Sequence, residues 1–205
     1  MENKNYQEDL QHIRKMMEKS SRFISLSGIS GVFAGLFALA GAIYVYFFFK
    51  KNGVDYFEGT VKYYEKDFIV DLVIVAMVVM VLAISSGAYF TIKKSKAHHL
   101  QIWDATTKKL LYNFAIPLGI GGLFCAGLLY HGLHGLLSPA TLIFYGLALF
   151  NAGNYTFSDI KYLGLCEMAL GIVSLFFLGY GLFFWAIGFG VLHIVYGIVM
   201  YKKYE

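Results

Sequence analysis

Few side chains in this chain combine an ionisable group with a deeply apolar setting, and two of those are placed symmetrically. The stretch GLCEMALGIVSLFFLGYGLFFWAIGFGVLHIVYG holds Glu167 and His193 on either side of the turn Gly179-Tyr180-Gly181. Glu167 lies thirteen residues before Tyr180 and His193 thirteen after it. In an antiparallel helical hairpin, equal distance from the turn means equal depth. A carboxyl beside an imidazole can share a proton, which is the equipment of a proton relay. A lone carboxylate in hydrocarbon is costly, so Glu167 is expected to be protonated, paired or facing water. The plainer use of the same pair is a hydrogen bond that fixes how two helices pack.

The residues around the pair predict how it is held. Gly164, Glu167, Gly171 and Ser174 recur at helical spacing, as do Ala186, Gly190, His193 and Gly197. Each set forms a stripe of small and polar residues on one helix face. Small residues let helix backbones approach closely in lipid, so the two stripes are expected to face each other or a shared interior. Asn151 and Asn154 extend the preceding apolar run. They are expected at the inner interface, or in one polar cavity with Glu167, His193 and Ser174.

His131 and His134 offer a second chemistry. Three apart, they would share a helix face and could ligate one metal, with Asp71 or Glu58 as third ligand. That would make a membrane metalloenzyme; interface histidines are the plainer reading. Haem is disfavoured because His131 and His193 fall in different halves of the membrane. The chain carries no HExxH, nucleophile elbow or phosphate loop, and no cofactor is expected.

The elements that must position these residues are membrane helices. Of 205 residues, 58% are hydrophobic and only 15% charged, with the apolar residues gathered in long blocks. Soluble domains carry nearer a quarter charged residues. The blocks do not alternate as barrel strands do, so helices follow. The expected fold is all-α: a six-helix transmembrane bundle over residues 22–205, preceded by a short amphipathic helix over residues 1–21. The spans are read at about residues 23–49, 68–92, 110–130, 138–156, 160–178 and 182–201. Ser27, Gly31 and Gly35 give the first span a small-residue surface, for packing inside the bundle or, second, for a homodimer. Pro117 is expected to kink the third span, Ser138-Pro139 to open the fourth, and Ser158 with Asp159 to cap the fifth. Tyr56, Phe57, Tyr63 and Tyr64 enrich the first loop in headgroup-level aromatics.

Orientation follows from the basic residues. With the N-terminus inside, thirteen Lys and Arg fall on inner segments and four on outer ones. The positive-inside rule therefore puts both termini in the cytoplasm. The segment Lys93–Lys109 holds five lysines with His98, His99 and Trp103, which suits anionic lipid. Nucleic acid is excluded as a partner because no binding fold accompanies the charge. Cys125 and Cys166 fall near opposite faces, too far apart for a disulfide.

The opening EDLQHIRKMMEKSSRFISLSGISGVFAG resembles the start of a group of uncharacterised bacterial inner-membrane proteins of the kind common in Bacteroidota. The likeness covers the amphipathic helix and the first span. It implies a bacterial inner membrane and carries over no functional residue. The expected function is a non-enzymatic membrane sensor or scaffold. A proton-linked small-molecule transporter is the alternative, and the His131/His134 metalloenzyme the third.

Overall fold

A computed structural model describes residues 26–53, 66–97 and 102–204, and every regular element among them is helical. The helices are α1 (Gly28–Lys51), α2 (Lys66–Ala97), α3 (Ala105–Tyr130), α4 (Leu137–Ala152) and α5 (Asp159–Leu175). A 3-10 turn, His134–Leu136, leads into α4. The last segment is composite: a 3-10 turn at Leu178–Tyr180, α6 (Gly181–Trp185), a π-helical stretch Ala186–Leu192, and α7 (His193–Tyr204). The amphipathic helix expected over residues 1–21, the aromatics of the first loop, Glu58, His98 and His99 lie outside the described residues.

Among the described residues, five helices are long and apolar enough to cross a membrane: Gly28–Lys51, Asp67–Ala97, Ala105–Tyr130, His134–Ala152 and Leu178–Tyr204. At 17 residues, α5 is about 26 Å long, slightly less than a bilayer core of about 30 Å. Large apolar side chains such as Ile74, Ile84, Leu123 and Phe176 are exposed on the outer surface. Patches of this kind need lipid against them rather than water.

Helix ends are set by local chemistry. Asp104 opens α3: one carboxylate oxygen accepts from the Thr107 N–H at 2.7 Å and from its hydroxyl at 2.7 Å. α1 closes with Asn52 and a left-handed Gly53, φ 68°. α3 runs through Pro117 and closes on Gly132, φ 73°. There the Leu133 N–H reaches the Leu128 carbonyl at 2.8 Å, and the Gly132 N–H reaches that of Leu129 at 3.1 Å. This paired closure needs a residue tolerant of positive φ, which Gly supplies.

Two expected caps differ. α4 starts at Leu137, one residue early, because Ser138 is used elsewhere: its hydroxyl donates to the Gly181 carbonyl at 2.6 Å. Ser158 precedes α5 but makes no side-chain cap bond. Asp159 instead binds the chain's far end. Its oxygens accept from Lys203 Nζ at 2.9 and 3.0 Å and from the Tyr204 hydroxyl at 2.6 Å. Lys94 adds a tie at the same end, donating to the Leu26 carbonyl at 3.1 Å.

The last segment is the centre of the bundle. On one side it packs along α1, with α2 beyond; on the other it meets α4 and α5, with α3 beyond α4. Glycine backbones close two interfaces, α4 with α5 and α1 with the last segment. A Cβ at Gly164 would lie 2.6 Å from the Gly146 carbonyl oxygen, and one at Gly171 would lie 3.0 Å from that of Pro139. A Cβ at Gly31 would lie 3.2 Å from the Gly197 Cα, and one at Gly35 would lie 2.6 Å from the Gly190 carbonyl oxygen. The glycines of the two stripes therefore do not meet each other, although Glu167 and His193 do. Gly164 and Gly171 face α4, while Gly190 and Gly197 face α1. The α1 surface of buried Ser27 with Gly31 and Gly35 is thereby used inside the bundle.

Two predictions follow from these contacts. Gly164→Ala forces backbone apart and destabilises by about 1–3 kcal/mol, whereas Gly87→Ala, with nothing within 4 Å, is neutral or stabilising in thermal unfolding in lipid. Folding holds the Asp104 carboxyl below the usual carboxylate range, chiefly through the Thr107 N–H. Its stabilisation is therefore present above its unfolded value and lost as pH falls through its lower folded value. Asp104→Ala costs about 1 kcal/mol at neutral pH, and the gap from the parent protein closes in acid below the carboxylate range.

Candidate functional site

Three elements contribute one side chain each to a buried polar chain: Tyr145 from α4, Glu167 from α5 and His193 from the start of α7. His193 Nε2 lies 2.8 Å from the Tyr145 hydroxyl, and its Nδ1 lies 3.0 Å from the Gly188 carbonyl oxygen. Glu167 Oε1 lies 3.4 Å from the same Nδ1. Glu167 is 0% exposed and His193 6%. The chain thus runs phenol, imidazole, carboxyl, with no water-facing member among the last two.

The geometry assigns one proton. A carbonyl oxygen only accepts, so Nδ1 carries hydrogen and donates to Gly188. The same Nδ1–H faces a second acceptor, since Glu167 Oε1 is just beyond hydrogen-bond range. Neither Glu167 oxygen has a hydrogen-bond partner among the described residues. One donor therefore faces two acceptors and bonds only the Gly188 carbonyl. Nε2 meets the Tyr145 hydroxyl, which donates when the ring is neutral and accepts when it is an imidazolium.

The π-helical stretch makes this meeting possible. It ends at Leu192, immediately before His193, and its Gly188 carbonyl is turned to the His193 ring. A side chain that bonds into the helical ladder is a known cause of local irregularity, and π turns gather at functional sites. Gly188 is needed for a second reason. A Cβ there would lie 2.5 Å from Glu167 Oε2 and 2.5 Å from Leu142 Cδ2. The carboxyl packs directly on the glycine.

Aromatic rings enclose the imidazole. Phe189 stacks on His193 with ring centres 6.0 Å apart, and Tyr145 stands 5.4 Å away. Trp185 continues the row, 5.0 Å from Phe189. Trp185, Phe189 and His193 fall four residues apart, so they form one column along the last segment.

The other residues singled out by sequence are elsewhere. Asn151 and Asn154 sit at the end of α4, where the Asn154 side-chain amide donates to the Asn151 carbonyl at 3.1 Å. Gly153 is level with Lys161, and Gly146 with Gly164 and Met168. The asparagines are therefore beyond Glu167 toward the bundle end, and close α4 rather than line a cavity with the pair. Ser174 is 0% exposed and its hydroxyl has no partner among the described residues. It stands two turns from Glu167, and no bond joins them.

His131 and His134 do not share a helix. α3 ends at Tyr130, His131 is its exposed cap, and the left-handed Gly132 separates it from the turn holding His134. Asp71 is exposed on α2, in its second turn. Among the described residues no group of three His, Cys, Asp or Glu could hold a metal ion. Cys125 and Cys166 are free thiols, Cys166 exposed.

Tyr145 is the member that sequence reasoning missed. It lies in the most apolar part of its span, where an aromatic reads as core. The available signal was its phenol, because a buried Tyr needs a partner.

A separate cavity of about 340 Å³ opens between α1, α2, α4 and α6. Ala42, Ala76, Ser138, Thr141, Leu182 and Trp185 are among its lining residues, and Glu167 and His193 are not. Leu142 and Gly188, one residue beyond Thr141 and three beyond Trp185, close over the carboxyl.

Tyr145→Phe leaves His193 Nε2 buried without its partner, at a cost of about 1–3 kcal/mol. Gly188→Ala drives a methyl group into the carboxyl and costs a similar amount, about 1–3 kcal/mol. Thermal unfolding of the full chain in lipid nanodiscs measures both. Unfolding temperatures equal to the parent's would mean that the polar chain does not hold these helices.

No family model, curated protein or solved structure matches this chain.

Proposed function

We propose that this protein is a non-enzymatic membrane sensor whose switch is the shared proton between Gly188, His193 and Glu167. The observation that carries this reading is the single Nδ1–H facing two acceptors, at 3.0 and 3.4 Å, at the end of a π-helical stretch. An ionised Glu167 draws that hydrogen from the Gly188 carbonyl; a protonated Glu167 leaves it there. The Gly188 carbonyl belongs to the irregular stretch, so the charge state of one buried carboxyl sets the backbone of the central segment. The groups facing it are Tyr145 from α4 and His193 with the Gly188 carbonyl from the last segment; α1 presents the apolar Leu39 to the same irregular stretch. Bistable packing of this kind turns a small local change into a helix shift.

The same reading takes α5 as a sixth crossing, since it runs from the Asp159 clasp to the turn at Leu178. It also takes a bacterial inner membrane, with both termini cytoplasmic. The basic residues between Lys93 and Lys109 then meet anionic lipid headgroups. α2, which among the described residues packs mainly along α1, is the helix left for a second copy, because the α1 glycine surface is filled by the last segment. A proton-linked transporter would need water at Glu167, and the seal made by Leu142 and Gly188 favours sensing over transport.

Hydrogen–deuterium exchange of residues 186–192 tests this in nanodiscs. After correction for intrinsic rates, protection of this stretch changes between about pH 5 and pH 8 in the parent protein. In Glu167→Gln it stays fixed at one level, with the fold intact. Parent protection that does not vary with pH would reduce the pair to a packing device.

A further inference from the structure

We infer that the cavity between α1, α2, α4 and α6 is a binding site for a neutral, single-chain lipid with a hydroxyl head group. This goes beyond the sensor reading and stands on separate observations. The cavity measures about 340 Å³. Small residues form part of its wall: Ala42 on α1, Ala76 on α2, Gly135 and Gly179 at the turns, and Gly181 at the start of α6. Leu, Val, Ile and Phe side chains supply most of the remaining wall, so the body of the ligand is hydrocarbon.

The head group follows from the polar lining. No Asp, Glu, Lys or Arg lines the cavity among the described residues, and its one ionisable lining residue is His134. A carboxylate, phosphate or ammonium head would therefore meet no permanently charged side chain there. Two hydroxyls do line it, and their hydrogens are already committed. Ser138 donates to the Gly181 carbonyl at 2.6 Å, and Thr141 donates to the Ser138 carbonyl at 2.9 Å. What these oxygens still offer is lone pairs. The matching group is an uncharged donor on the ligand, and an alcohol supplies one.

The site also has a physical link to the buried pair. Trp185 lines the cavity, and the column Trp185–Phe189–His193 runs from it to the imidazole. A chain lying against Trp185 presses on the rings that hold His193.

The test uses the full chain in phosphatidylcholine nanodiscs and a sixteen-carbon alcohol bearing a terminal diazirine. Photolabelling is expected on part-buried cavity-lining residues such as Thr141 and Leu182, and excess unlabelled hexadecanol suppresses it. Ala76→Phe, on the sparsely packed α2, fills the cavity and lowers labelling by about tenfold. Ala42→Leu does the same from α1. Labelling spread along the outer face of α2, unsaturable and unchanged in both variants, overturns the site. Equal labelling by the matching fatty acid or alkyl phosphate overturns the assignment of a neutral head. Labelling is read in the parent protein at one pH and the exchange of residues 186–192 without added alcohol, so failure of the sensor reading and failure of this site are told apart.

Discussion

One hydrogen, on Nδ1 of His193, has two acceptors, and the central part of the bundle depends on how it is shared. The Gly188 carbonyl takes it at 3.0 Å while Glu167 Oε1 waits at 3.4 Å. In water such a preference would carry little consequence. Where the carboxyl is fully buried, a polar atom without a partner is expensive, so the arrangement of donors and acceptors is closely constrained. Tyr145 closes the other side of the ring, and three helices are tied through one imidazole.

The packing around that ring explains why the contact survives. The last segment lies between α1, which it meets backbone to backbone, and the closely packed α4–α5 pair. Gly31 and Gly35 bring α1 against Gly190 and Gly197, while Gly146, Gly164 and Gly171 bring α4 against α5. In lipid there is little hydrophobic gain from pairing helices, so close backbone approach and buried polar contacts do the holding. The irregular stretch Ala186–Leu192 sits where these two systems meet. Its glycines accept Leu39 on one side and the Glu167 carboxyl on the other.

Much of this was legible in the residues, for physical reasons. Long apolar blocks name membrane helices because each backbone group must be satisfied within its own segment. The equal spacing of Glu167 and His193 from Tyr180 correctly anticipates their proximity, because rise per residue is nearly constant. Which neighbour each glycine stripe meets was not legible. A stripe of small residues says that a backbone comes close, and says nothing of whose. The π-helical stretch was hidden because nothing in the spacing of apolar residues marks where the helical hydrogen bonds widen by one residue. The asparagines misled for a related reason: a polar residue late in an apolar run serves equally as a helix end or a cavity wall. The His131/His134 spacing implied a shared face only while the helix continued, and Gly132 ends it.

The bundle therefore has a polar centre sealed from lipid and an apolar chamber beside it, joined by a row of rings. The central claim is the position of one hydrogen, and nitrogen-15 NMR of the His193 ring in lipid bilayers reads it directly. Assigned by difference from His193→Asn, the Nδ1 resonance is expected to be that of a protonated nitrogen whichever charge state the ring adopts. A neutral ring protonated on Nε2 alone would contradict the account, since nothing would then bind the Gly188 carbonyl or face Glu167.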